Sequence, residues 1–200
     1  IRIVMPLDKI QSASLDTGVV GITNLSATGT PSASTFLRGD NTFAGTITSG
    51  TAVASTSGTF IDFINPTPAG TPKRITVSLV GVSTNGSSFK QLQLGVAGVP
   101  ATTGYLGDGN QNATGVLYTT GIGLSSNAAA DILHGAFTLI NHSGNTWVGT
   151  YVGGKSDAIT GHFSGGSITL SGTLNMVRFT TVNGTDAFDA GSVNVLWEYA

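Results

Sequence analysis

From residue 51 onward the chain falls into short runs in which apolar and polar positions alternate, separated by Gly, Asn, Ser and Pro. A period of two puts every second side chain on one face of a strand. Residues 58–64 (GTFIDFI) set Phe60 and Ile64 about Asp62 and are closed by PTPAGTP, a turn or loop. Residues 74–83 (RITVSLVGVS) place Ile75, Val77 and Leu79 on one face. Val80 and Val82 point the other way, so burial on both sides is expected for the second half. Asn85-Gly86 is the strongest short-range hairpin signal in the chain. It leads into residues 89–94, where Phe89, Gln91 and Gln93 oppose Leu92 and Leu94. Residues 96–114, rich in Gly, Asn and Pro with Tyr105 their one aromatic, read as a long exposed loop. Further strands are expected at 116–120, 132–141, 146–152, 167–170, 173–182 and 193–199. The one helical candidate, 127–133 (NAAADIL), is a turn or two at most. Short strands between Gly/Asn/Ser turns predict a sandwich or barrel, and a unit of about 150 residues buries roughly two-thirds of its unfolded surface.

Residues 1–50 are patterned differently. The first ten alternate apolar residues but contain Pro6, which cannot donate to a ladder and confines any strand to an edge. Residues 11–50 offer Leu15, Val19, Val20, Ile22, Leu25, Phe36, Leu37, Phe43 and Ile47, spaced by Ala, Ser, Thr and Gly. Ordering each backbone unit costs ~1–2 kcal/mol, more than one copy of so sparse a segment returns. It is either a disordered linker or a segment packed against copies of itself around a common axis, and the steady recurrence of apolar positions favours the second. The expected division is an extended shaft or neck at 1–50 and a β-sandwich knob at 51–200.

Composition sharpens the class to all-β. Glycine numbers 29 and charged residues are only 9%, which leaves little material for helix surfaces and much for strands and turns. A net charge of −2 with eight scattered basic residues argues against a nucleic-acid partner. Cysteine is absent, which excludes disulfides and Cys-zinc chemistry and suggests assembly in a reducing cytoplasm. No apolar run approaches the ~18 residues that span a bilayer, so no membrane insertion is expected. The chain does not begin with Met and reads as a piece of something longer.

Candidate chemistry is thin. Residues 149–156 (GTYVGGKS) match the Walker A pattern, but the DAITGHFSGGS that follows cannot form the helix a phosphate site needs. Asp108, Asn110 and Asn112 open like an EF-hand loop, yet Ala113 and Thr119 stand where Gly and Glu belong. His134, His142 and His162 lack the close spacing of metal ligands. No nucleophile elbow or marked carboxylate pair is present, so no catalytic residue, metal or cofactor is assigned. Arg38-Gly39-Asp40 reads as a tight turn, and the sequons at Asn24, Asn85, Asn112, Asn141 and Asn183 follow from composition.

Three ordered passages carry a resemblance: 29–43 (GTPSASTFLRGDNTF), 73–86 (KRITVSLVGVSTNG) and 176–198 (MVRFTTVNGTDAFDAGSVNVLWE). The chain from Asn24 onward resembles bacteriophage and prophage tail fibres, with Phe43 where Trp is commoner. The resemblance implies a parallel homotrimer with an intertwined shaft, joined to the rest of the fibre and baseplate on the virion. It also implies a C-terminal tip that attaches to a bacterial surface glycan or protein. Such a fibre would be assembled in the host cytoplasm. On that reading Phe36, Leu37 and Phe43 pack between chains while Arg38 and Asp40 pair within or across them. From loop position and aromatic character, Tyr105, Asp108, Asn110, Gln111 and Asn112 are the expected receptor contacts, with Trp147 and Tyr151 next. Three weak sites acting together would bind by avidity without catalysis. A polysaccharide depolymerase and a purely structural shaft or assembly module remain the alternatives.

Overall fold

The computed structural model describes residues 35–37, 43–44, 47–66, 70–111 and 114–199. The chain divides into two compact units, residues 1–46 and 47–200. In the first, β1 (Phe36–Leu37) pairs antiparallel with β2 (Phe43–Ala44), Leu37 opposite Phe43. Leu37 is half exposed within this unit. Arg38 and Asp40 of the expected neck lie outside the described residues.

The second unit is all-β. Its strands are β3 (Ile47–Ser49), β4 (Val53–Ala54), β5 (Phe60–Ile64), β6 (Pro72–Thr84), β7 (Lys90–Val96), β8 (Val99–Pro100) and β9 (Leu106–Gln111). After these come β10 (Thr114–Tyr118), β11 (Ile122–Leu124), β12 (Leu133–Ser143), β13 (Thr146–Lys155), β14 (Gly161–Thr169), β15 (Met176–Thr181) and β16 (Phe188–Tyr199). Among the described residues these form two sheets, antiparallel throughout. The large one runs β10-β9-β14-β13-β12-β6-β16-β3, with β4 also on β16. The small one runs β11-β7-β15-β5, with β8 on β7.

The two sheets share one core, an arrangement compatible with a β-sandwich. The large sheet turns inward Ile75, Val77, Leu79, Phe137, Leu139, Trp147, Tyr151, Val193, Val195 and Trp197, and the small sheet Ile61, Phe63, Leu92, Leu94, Val177 and Phe179. Phe179 is the join between them: its ring stacks on Phe188 at 5.3 Å and sits 6.1 Å from Phe137, which is tilted against Tyr151 at 4.7 Å. Offset aromatic contacts of this kind add to the area they bury.

Several expectations change. On β5 the inward residues are Ile61 and Phe63, and Phe60 and Ile64 are the exposed ones. On β6 Val82 is buried but Val80 is 60% exposed. The register of β6 shifts between Leu79 and Val82 against β12, and again against β16. That bulge holds Gly81 at φ +65° opposite Gly191 at φ +89°, and it rephases the strand so that one face stays inward on both sides of it. Asn85-Gly86 closes no hairpin, because β6 and β7 belong to different sheets. Asn85 instead extends the β16 pairing through Ala187, and Gly86 lies so close to Asp186 that a Cβ would meet its carboxyl at 2.1 Å. The expected loop at 96–114 contains β8, β9 and the first residue of β10. The helical candidate at 127–133 forms no helix: Asp131 turns back on the chain, accepting from Ser126 Oγ and the Ala128 N–H.

Candidate functional site

The expected receptor contacts separate in the fold. Tyr105 is 2% exposed, and its hydroxyl accepts the Leu94 N–H at 2.7 Å. Trp147 and Tyr151 are core residues, and the Tyr151 hydroxyl donates to the His134 carbonyl at 3.0 Å. All three rings belong to the hydrophobic core and line no wall of the small-sheet groove, which takes them out of reach of a receptor. Asp108 and Asn110 lie on β9, one strand in from the β10 edge of the large sheet, in register with Gly165 and Phe163. Asp108 is exposed, and Asn110 has a buried Oδ1 without a hydrogen-bond partner. Gln111 ends β9, and Asn112 lies outside the described residues.

One end of the core is polar, which the alternating pattern did not announce. Lys90 follows the inward phase of Leu92 and Leu94 and is fully buried, its Nζ donating to the Ser126 carbonyl at 3.4 Å. Lys155, the lysine of the Walker-like run, ends β13 and pairs with Asp131 at 2.5 Å. Burial opposes ionisation of Asp131, but Lys155, Ser126 and the Ala128 N–H outweigh it and hold the carboxyl below its ordinary range. Burial pushes Lys90 down, countered in part by Asp131. His162 is 2% exposed. Neither ring nitrogen meets a partner in hydrogen-bond geometry, although the Ser125 backbone approaches it. Burial, then Lys155, keep its imidazole neutral to below the usual pH. Nearby Tyr118 shares a hydrogen bond with Ser125, and burial pushes its phenol up to about 12. This assembly is interior and closes the core end with polar contacts.

The open chemistry lies on the outward face of the small sheet. Two cross-strand rows are set by register: Gln93, Arg178 and Asp62, then Gln91, Thr180 and Phe60. Arg178 donates through Nε and Nη2 to both Asp62 oxygens at 2.7 Å, and its guanidinium sits 4.0 Å above the Phe60 ring. Hydrogen bonding to Asp62 raises the Arg178 pKa further, so the charge is permanent. Thr120 covers the other end, donating to Gln91 Oε1 at 2.8 Å while its carbonyl accepts from Gln93 Nε2 at 2.9 Å. Phe60, Gln91, Gln93, Thr120, Arg178 and Thr180, with Asn183, line a groove of about 270 Å³, and Asp62 holds Arg178 from outside its wall.

The groove retains hydrogen-bonding capacity that is held in place. Gln91 is 2% and Gln93 6% exposed, so both amides are immobilised by packing. Each spends one end on Thr120, leaving Gln91 Nε2 as a donor and Gln93 Oε1 as an acceptor without a partner among the described residues. Arg178 Nη1 is a further donor. Fixed donors and acceptors beside an aromatic and guanidinium platform suit a hydroxyl-rich ligand, and the Asp62 carboxylate balances the arginine charge. A second cleft, about 360 Å³ between Val96, Val99, Pro100, Ile168 and Leu170, has no charged side chain in its wall.

Sequence reasoning missed this groove because its residues come from 59–60, 91, 93, 102, 120, 178 and 180–184, and Asp62, which holds Arg178, stands 116 positions from it. The usable signal was the pair of glutamines alternating with Leu92 and Leu94. A scan against protein-family models, a search of curated proteins and a search of solved structures each find no match to this chain.

Proposed function

We propose that this chain is the distal part of a bacteriophage or prophage tail fibre and attaches the virion to a bacterial surface glycan without catalysis. The observation that carries the binding reading is the groove on the small sheet. Its fixed Gln91 donor, Gln93 acceptor and Arg178 edge present complementary partners to vicinal hydroxyls, and the Arg178–Phe60 stack offers a flat wall for a sugar ring. The passages at 29–43, 73–86 and 176–198 support the fibre reading, and an all-β body suits it.

A shallow groove binds weakly. Neutral hydrogen bonds contribute about 0.5–1.5 kcal/mol each, so one site offers modest affinity. Three copies on one trimeric fibre multiply it through effective concentration, by about 100-fold or more when all can engage. The N-terminal segment is then the shaft that brings the copies together.

The test is a glycan array probed with the wild-type chain and with Gln91→Ala and Arg178→Ala. Binding to a defined set of bacterial glycans, lost in both variants, supports the reading. Binding unaffected by both moves the receptor site elsewhere. Release of shortened products from purified capsule or lipopolysaccharide replaces attachment with depolymerisation, and absence of binding to arrays and host cells alike leaves a structural module.

A further inference from the structure

Among the described residues, Arg178 is the one charged side chain in the wall of the small-sheet groove, and its charge is already answered. Asp62 stands behind the wall and accepts from both Nε and Nη2 at 2.7 Å, the two-pronged geometry that carboxylates and guanidinium groups share. A second carboxylate is tied to the wall through Asn183. Asp186 accepts from the Asn183 amide at 2.6 Å and from the Ser88 N–H at 2.8 Å, contacts that hold its carboxyl below its ordinary range. Asn183 Oδ1 is itself filled, by Thr181 Oγ1 and the N–H groups of Thr185 and Asp186. Lys90 follows the inward phase of its strand and is fully buried, where Asp131 and Asp186 act on it. What stays open toward a ligand is therefore neutral or compensated: the Gln91 Nε2 donor, the Gln93 Oε1 acceptor and Arg178 Nη1.

We infer that the groove selects uncharged sugar residues over carboxylated ones, and that Asp62 sets this choice by holding Arg178 as a hydrogen-bonding edge instead of an anion receptor. The inference rests on the glycan reading of the same groove. A sugar carboxylate brought to the Nη1 edge gains the attraction of the guanidinium but also feels the repulsion of Asp62 behind it, and charge interactions fall only as the inverse of distance. It also surrenders hydration without displacing Asp62 from its two bonds. A hydroxyl meets neither penalty and still accepts from Nη1. Asp62 fixes the guanidinium 4.0 Å above the Phe60 ring as well, so one contact sets both the charge and the shape of that wall. Asp62 touches no ligand in this arrangement; it is a positioning residue. At about 270 Å³ the groove lies just below the ~300–1,000 Å³ of ordinary small-molecule sites, which suits one ring of a longer chain.

The test is an array of bacterial glycans in which each neutral hexose chain is paired with its uronic acid counterpart, the same linkages with a hydroxymethyl group replaced by a carboxylate. The wild-type chain should bind neutral members about tenfold or more above their acidic partners. Asp62→Asn leaves the guanidinium without its carboxylate and should raise binding of the acidic members about tenfold, because a charge-assisted hydrogen bond replaces a neutral one. High salt should remove that gain, and so should adding Arg178→Gln. A wild-type chain that binds acidic members as well as neutral ones overturns the inference and leaves glycan attachment standing. So does an Asp62→Asn chain of wild-type melting profile whose preference is unchanged. Should Asp62→Asn not fold, the wild-type salt dependence decides: binding that stays flat from ~0.05 M to ~0.5 M salt supports the inference, and binding that falls steeply overturns it. A wild-type chain that binds no member of either series overturns glycan attachment itself, and the inference with it.

Discussion

The outward faces of the two sheets grow from the same alternating code and end chemically opposed. On the large sheet the outward positions of β9, β13 and β14 include Leu106, Val148, Val152 and Phe163, with Asp108 the charged residue among them. On the small sheet they are Gln91, Gln93, Arg178 and Thr180, held by Asp62, Thr120 and each other's spacing. One face has shape and area but almost no directional chemistry; the other has directional chemistry in a small space. Alternation alone says that a strand has an inside and an outside. What the outside is for depends on whether its polar groups are already satisfied, and that is decided across strands.

The comparison breaks most completely if the sheets come apart. Phe179 touches Phe137 and Phe188 of the opposite sheet, and Phe179→Ala should cost about 3–5 kcal/mol in urea denaturation. Both faces should then fail together. Asp131→Ala tests the polar core end: it strands Lys155 and Lys90 without their carboxylate and should cost about 3 kcal/mol or more, most of it recovered by adding Lys155→Met.

A sharper separation comes from Arg178→Ala. Its bridge to Asp62 is partly exposed, at 24% and 27%, so stability should fall by only about 1 kcal/mol or less while glycan affinity drops about tenfold. Calorimetric melting beside glycan titration measures the two, and a large loss of stability with unchanged binding would make the pair structural. The smallest expected effect is a pH slope. His162 has a lowered folded pKa, so the unfolded chain binds its proton first as pH falls below about 6.5. Stability from this residue is full above that pH and declines below it. His162→Gln should flatten the slope of the melting temperature between pH 6.5 and pH 5, and an unchanged slope assigns it to other groups.

The all-β class was legible because short alternating runs and glycine-rich punctuation admit little else. Strands β12 and β13 fall close to their expected spans for the same reason, whereas β16 begins at Phe188, well before the expected Val193. The departures have local causes. RITVSLVGVS looks like one uninterrupted alternation, and only the positive φ at Gly81 shows that the phase is reset. Asn85-Gly86 carries a strong local preference that the crossing between sheets overrides. Tyr105 looked exposed because the stretch around it is rich in Gly, Asn and Pro, whereas the Leu94 backbone draws its hydroxyl inward. The candidate groove was illegible because Arg178 acquires its meaning from Asp62, Phe60 and Gln93, none of them near it in sequence.

The facing bulges at Gly81 and Gly191 also bear on the order of events during synthesis. Strand β16 pairs with β3, β4 and β6, all more than 100 positions earlier, and a Cβ on Gly191 would meet the Gly81 carbonyl oxygen at 2.3 Å. A one-residue slip would place a side chain at that crossing, so only one alignment closes. Until residues 188–199 emerge from the ribosome, that edge of β6 waits with its backbone unpaired, a template for neighbouring nascent chains. The glycine crossing then acts as a proofreading step, admitting the late strand only in its native frame.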